Sequence, residues 1–197
     1  MIITIGRQYG SGGKEIGEKL AAKLGCAFYD SELLSMATEA NGMSEAAMRQ
    51  YDEKPTSSLV YGMYMNAIST GDVLPLNQKL AFAQFDVIRK VAGEGDCVIV
   101  GRCADYVLRE RKDLLSVFLH APTDSRRQRA ISNYGVPPEL AEKTLKKQDK
   151  KRAEYYNFYT HRTWAAAETY DLTLDTDRLG VDGTVEIIAA VAARLGK

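Results

Sequence analysis

Four segments of this sequence carry residues whose types and spacing suit chemistry on phosphate. The first is the run GRQYGSGGKEIG, residues 6–17, which combines closely spaced glycines with the cations Arg7 and Lys14. Glycines let a chain bend sharply. Backbone N–H groups at the start of a helix point outward unpaired, and the helix dipole adds partial positive charge. A run of this kind, set between a strand and a helix, can hold phosphate groups on Gly6 to Gly13, with Lys14 and Arg7 adding charge. The other three segments are Asp30, the pair Gly101-Arg102, and the arginines Arg126, Arg127 and Arg129. Guanidinium forks bind phosphate oxygens bidentately. On a helix Arg126 and Arg129 share a face and Arg127 points away, so one ligand contact at most is expected from that group.

The loop departs from the common phosphate-loop pattern G-x-x-x-x-G-K-[ST]. Gly13-Lys14 matches its G-K step, but Gln8 stands where the first glycine would be and Glu15 follows Lys14. The hydroxyl that normally binds magnesium is missing at that position, leaving Ser11 or water to reach the metal. A glutamate so close to a triphosphate is unfavourable unless it points away.

These segments need elements to hold them. Ile2 to Ile5 is a short β-branched run, read as a buried strand ended by Gly6. Ile16, Leu20 and Leu24 recur at helical spacing until Gly25 stops them. Cys26 to Tyr29 reads as a second strand, after which Asp30 or Ser31 caps another helix; Asp30 is thus a cap or a ligand contact. Helices joined by loops are expected between about Ala40 and Leu76, and a clear helix follows through Leu80, Ala83, Val87 and Val91. CVIV, Cys97 to Val100, and Leu114 to Leu119 read as strands buried on both faces. Thr123 is expected to cap the arginine-bearing helix. Pro137 and Pro138 open a long basic helix to about Tyr156, whose run from Lys146 to Arg152 suits a solvated face or a mobile cover equally. Leu172 to Leu174 is a last strand, and Val185, Ile188, Val191 and Leu195 line one face of a closing helix. Alternating strands and helices imply parallel crossovers and a three-layer α/β domain, with ligands beyond the carboxyl ends of the strands.

The 197 residues suit one domain with a sizeable core. Basic and acidic residues balance at 26 each, so any anion site must be local, and neither nucleic acid nor membrane is an expected partner. The three cysteines, Cys26, Cys97 and Cys103, are spaced for neither a zinc cluster nor a disulfide framework and are expected to be reduced and partly buried. With no basic, apolar leader at Met1, a cytoplasmic location is expected. His120 and His161 have no metal spacing and read as structural. Tyr155, Tyr156, Tyr159 and Trp164 form an aromatic group suited to packing or to base stacking. Met63, Met65, Tyr61 and Tyr64 suit a core, or the contact of a homodimer.

The loop, Phe28-Tyr29-Asp30 and VIVGRCADYVL together resemble the cytidylate kinase-like family of P-loop nucleotide kinases, in an atypical branch whose loop reads much like RQYGSGGKEI. The resemblance runs from Ile3 through TLDTDRLGVDGTVEII. It implies a P-loop kinase fold with a five-stranded parallel sheet, a helical region for a nucleoside monophosphate at about 30–76 and a lid at about 135–165. The implied reaction moves the γ-phosphoryl group of ATP, with Mg2+, onto CMP or dCMP. By the same resemblance Gly10, Ser11, Gly12, Gly13 and Lys14 hold the donor phosphates and Ser11 is the candidate metal contact. Asp30, Arg102 and Asp105 meet the acceptor, Lys147, Asp149 and Arg152 belong to the lid, and Lys14, Arg102 and Arg152 are the catalytic cations. The sequence differs from the family's G-R-D step, since Cys103 follows Arg102 and the acid comes at Asp105. Of the lid pattern it keeps the D-x-x-R part, Asp149 to Arg152. Two other functions suit the same residues: a small-molecule kinase with a non-nucleotide acceptor, and a non-catalytic nucleotide- or phosphate-binding regulator, which the Glu15 departure motivates.

Overall fold

The apolar run at the start of the chain forms β1, Ile2–Arg7, in which Ile2, Ile3, Thr4 and Ile5 are all buried. A strand without a solvent face belongs inside a parallel sheet covered on both sides. In the computed structural model, which describes residues 1–40 and 76–195, it is the central strand of five. The others are β2 (Ala27–Tyr29), β3 (Cys97–Val100), β4 (Leu114–His120) and β5 (Leu172–Asp175), arranged β2-β3-β1-β4-β5. Every pairing is parallel; Ile3 faces Val98 on one side and Leu115 on the other.

Seven helices are described: α1 (Gly13–Leu24), α2 (Glu32–Ala40), α3 (Leu76–Glu94), α4 (Ala104–Val107), α5 (Thr123–Tyr134), α6 (Pro138–Thr160) and α7 (Thr176–Leu195). Alternation along the strands sorts the core into two faces. Ile3, Ile5, Val98, Val100 and Leu115 pack with Ile16 and Leu20 of α1 and Val185 and Ile188 of α7. On the opposite face Ile2, Cys97 and Ile99 pack with Leu33 of α2, Ile88 of α3, and Tyr155 and Tyr156 of α6. The expected three-layer α/β kinase fold with its five-stranded parallel sheet is therefore present.

Boundaries differ locally from the sequence reading. Cys26 lies outside β2, because its N–H bonds to Ala21 O and closes the end of α1. Thr123 is the first helical residue of α5 rather than its cap; Pro122 holds the cap position, without a side-chain bond. The long helix continues one turn past Tyr156, to Thr160. At the start of α2 it is Glu32 that acts, accepting the Asp30 N–H at 3.0 Å. α7 is kinked at Gly180, which has φ 66°. The helices expected over most of 40–76, with Tyr61, Met63, Tyr64 and Met65, lie outside the described residues. Cys97 and Cys103 are buried and Cys26 is partly buried. Among the described residues, no helix is long and apolar enough to cross a membrane.

Candidate active site

The order of the strands decides which residues meet. From β1 the chain leaves toward β2 on one side, returns to β3, then passes over β1 to β4 on the other side. The bend after β1 thus lies where the order reverses, beyond the carboxyl ends of the strands, where such sheets bind ligands.

That bend, Gln8 to Gly12, is fixed from below and open above. Gln8 N–H donates to Leu119 O at 2.9 Å, and the Gln8 side-chain oxygen accepts the Ala121 N–H at 3.2 Å. The second bond explains why glutamine stands where a glycine is common: its side chain ties the bend to the end of β4. Thr176 Oγ1 donates to Ser11 O at 2.9 Å, with His120 O at 3.2 Å sharing the same hydroxyl. Gly10 and Gly12 have φ of 84° and 80°. A Cβ at Gly10 would stand 2.6 Å from Arg126 O, so glycine is required by space as well as by conformation. The first bond of α1 runs from Ile16 N–H to Gly12 O, and no side chain caps the helix. Among the described residues, no acceptor is bonded to the N–H groups of Gly10, Gly12, Gly13 or Lys14. Four amides at a helix N-terminus are a ready site for an anion.

Each expected site residue has a definite place. Ser11 is buried and its hydroxyl donates to Gln8 O at 2.9 Å, inside the bend. Lys14 is exposed and 3.7 Å from Glu18. It lines a cavity of about 230 Å³ together with Arg7, Tyr9, Gly13, Asp30 and Arg152. Asp30 pairs there with Arg7 at 3.6 Å, both side chains being mostly buried. Arg102 lies on an adjoining cavity of about 30 Å³, which it shares with Arg7, Asp105, Arg152, Tyr156 and Trp164. Lys14 and Arg102 therefore lie on two cavities that meet at Arg7 and Arg152. Lys147 is exposed on α6 and lines neither.

Arg102 reaches its place through an unusual backbone. Gly101, Arg102 and Cys103 have φ of 80°, 56° and 56°, a left-handed stretch that bulky residues adopt at a cost of ~1–3 kcal/mol each. Burial lowers the pKa of the Arg102 guanidinium, and the charge of Arg7 adds to this while Asp30 opposes it. At Gly101 the positive φ favours glycine, and a Cβ there would displace the Arg7 guanidinium from its place. Asp105 is also buried, and burial raises its pKa against the opposing hydrogen bond from Tyr156 OH at 2.6 Å. Burial likewise raises the Tyr156 and Tyr170 hydroxyls. Trp164 packs edge-on against Phe118 at 5.3 Å, closing the small cavity with Tyr156.

Some functional contacts had no clear signal in the sequence. Glu15 faces Arg129, with Oε2 2.6 Å from Nη1, and Lys19 lies 3.9 Å away. The glutamate is thus neutralised beside the loop instead of opposing a triphosphate. Arg129 lines a third cavity of about 490 Å³ with Gly10, Gln128, Thr176 and Asp177. Arg126 is buried against the loop and Arg127 is turned to Asp124, so the arginine group divides as helical geometry requires. Thr176 was detectable in principle by its position just after a strand.

A three-layer sheet with an open, glycine-formed amide cradle after its first strand, and cationic side chains gathered at the strand ends, defines a P-loop kinase fold. The family model described as the cytidylate kinase-like family matches residues 2–178, and the chain belongs to that family. A cytidylate kinase of Methanopyrus kandleri is 29% identical over 110 residues, which are 52% of this chain and 57% of that protein, so the match spans just over half of each. A solved structure of a protein from Eubacterium ventriosum is 28% identical, with a TM-score of 0.75 and 98% of both chains covered. Shikimate kinase from Acinetobacter baumannii, solved with shikimate, has a TM-score of 0.55 at 16% identity, covering 98% of this chain and 92% of that one. At that identity the likeness shows the fold alone.

Proposed function

We propose that the protein transfers the γ-phosphoryl group of ATP to a small anionic acceptor, and that the acceptor is a nucleoside monophosphate, CMP or dCMP. The observation that carries this reading is the shared wall of the two cavities. Arg7 and Arg152 stand between the amide cradle with Lys14 and the pocket of Arg102. A phosphoryl group passing between them would be met by cations throughout, and phosphoryl transfer depends on positioning and charge neutralisation more than on covalent help. The cavity of about 490 Å³ beside Gly10 and Thr176 is in the size range of a ligand pocket and offers space for the rest of the donor.

The donor set suits magnesium held largely through phosphates and water. Mg2+ takes one or two carboxylates and keeps several waters. Asp30 is the carboxylate on the cradle cavity, and among the described residues no group of three His, Cys, Asp or Glu stands ready to cage a metal. Bound there, the ion would neutralise charge developing on the transferred group. The Glu15–Arg129 pair removes the electrostatic objection to a triphosphate beside the loop. The family match supports a nucleotide acceptor over a non-nucleotide one.

The test is coupled ADP release by purified protein with ATP, magnesium and each common nucleoside monophosphate. Turnover with CMP or dCMP above the others is expected. Lys14→Ala should lower kcat by ~100-fold or more, the effect of removing one charge-stabilising donor from a site of this kind. ADP release stimulated by a non-nucleotide acceptor and not by CMP would replace the acceptor. Nucleotide binding without turnover in excess magnesium would end the catalytic reading.

A further inference from the structure

We propose that Asp149 is a positioning residue: its carboxylate fastens α6 to the phosphate loop and so delivers Arg152 to the wall between the two cavities. The proposal rests on the phosphoryl-transfer reading above and deepens it. Asp149 Oδ1 accepts the Tyr9 N–H at 2.7 Å, and Oδ2 accepts from Arg126 Nη1 at 2.6 Å. Arg126 in turn donates to Tyr9 O at 3.3 Å and, through Nε, to Ala121 O at 3.0 Å. One carboxylate and one guanidinium thus grip both polar groups of a single loop residue. They join the bend after β1 to α5 and α6, more than a hundred residues later in the chain. The Asp149 and Arg126 side chains are 17% and 10% exposed, so solvent screens the pair little.

Asp149 differs from its neighbours on α6. Lys146 pairs with Glu142 and Lys150 with Glu154, each within the helix and on the exposed surface. Arg152 lies three residues beyond Asp149, on the same face of the helix. It donates to Arg7 O at 3.1 Å and its guanidinium lies 5.7 Å from the centre of the Tyr9 ring. A helix is stiff over one turn, so fixing Asp149 on the loop fixes where Arg152 stands. The Asp149 bond leaves the cradle intact, because it takes the Tyr9 amide and not those of Gly10, Gly12, Gly13 or Lys14.

The experiment compares wild type, Asp149→Ala, Asp149→Asn, Arg152→Ala and the Asp149→Ala/Arg152→Ala double variant of the full chain. Hydrogen exchange without ligand reads the clasp: Tyr9 N–H protection should fall in Asp149→Ala and persist in Asp149→Asn, whose side-chain oxygen still accepts. ATP affinity by calorimetry and turnover with ATP and CMP read its effect. Asp149→Ala should lower kcat by about as much as Arg152→Ala, ~10–100-fold, with ATP affinity changed less than threefold; the double variant should lose little more than either single one. Asp149→Asn should recover part of the rate. Additive losses in the double variant would overturn the proposal and leave the kinase reading standing. Tighter ATP binding by Asp149→Ala would also overturn it, since the carboxylate would then be a phosphate surrogate that blocks the site. A wild-type chain that neither binds ATP nor turns over would remove both.

Discussion

Asp105 shows how a single buried group can be read through pH. It is buried beside the Tyr156 hydroxyl, and burial holds its pKa above the ordinary carboxylate value of about 3.9. Between the unfolded and folded pKa values the native state binds more protons than the unfolded one. The stability this group contributes is therefore fully present below the unfolded pKa and is lost as pH rises through the folded pKa. Asp105→Asn keeps an oxygen for Tyr156 and removes the titration. We expect the variant to melt above wild type at pH 7, with the difference vanishing as pH falls to about 3–4. Calorimetric melts at both pH values check this; an equal gain at each would show that charge burial is not the cause. The Glu15–Arg129 pair belongs to the same scale. It turns a residue hostile to phosphate into a support for Arg129 at the rim of the largest of the three site cavities.

At the scale of elements, the loop is shaped by what lies beneath it as much as by its own glycines. The start of α7 reaches it through Thr176, whose hydroxyl serves Ser11 O and His120 O. Thr176→Val keeps the shape and deletes both bonds, leaving a carbonyl under the loop without its donor. The expected cost is ~1–3 kcal/mol in urea unfolding, the penalty for one buried polar group left unsatisfied. A severalfold weaker affinity for ATP should accompany it as the cradle loosens. Unchanged stability together with unchanged affinity would show that the loop holds its form without α7.

For the whole molecule, closure is the central question. The Arg102 cavity measures about 30 Å³, enough for a water or two but not for a nucleotide. An acceptor can bind there only if the wall carrying Trp164 moves outward. The sequence contains a single tryptophan among eleven tyrosines, so fluorescence excited beyond the tyrosine absorption band reports on that wall alone. Titration with CMP should shift or quench it, and a silent tryptophan under saturating CMP would argue that the acceptor binds elsewhere. ATP with magnesium at one hundred times its Kd should stabilise the chain by ~2.7 kcal/mol, a rise in Tm of roughly 5–10 °C for a protein of this length.

Sequence alone determined the sheet, the loop and the layers. Their signals are local: continuous apolar runs at Ile2–Ile5 and Cys97–Val100, helical spacing at Ile16 and Leu20, and glycines where amides must face outward. It also located Arg102, because a glycine and an arginine directly after a buried strand fall at the ligand-binding edge of such a sheet. What only the tertiary structure decided are pairings between residues far apart in the chain. Glu15 with Arg129, Asp149 with Tyr9, Gln8 with Ala121 and Thr176 with Ser11 are set by how α5, α6 and α7 pack around the bend. Hydrophobic periodicity fixes which face of a helix is buried, but not which polar group of a distant loop that face will meet. That choice follows from strand order and helix placement, which bring side chains separated by more than a hundred residues within hydrogen-bonding distance.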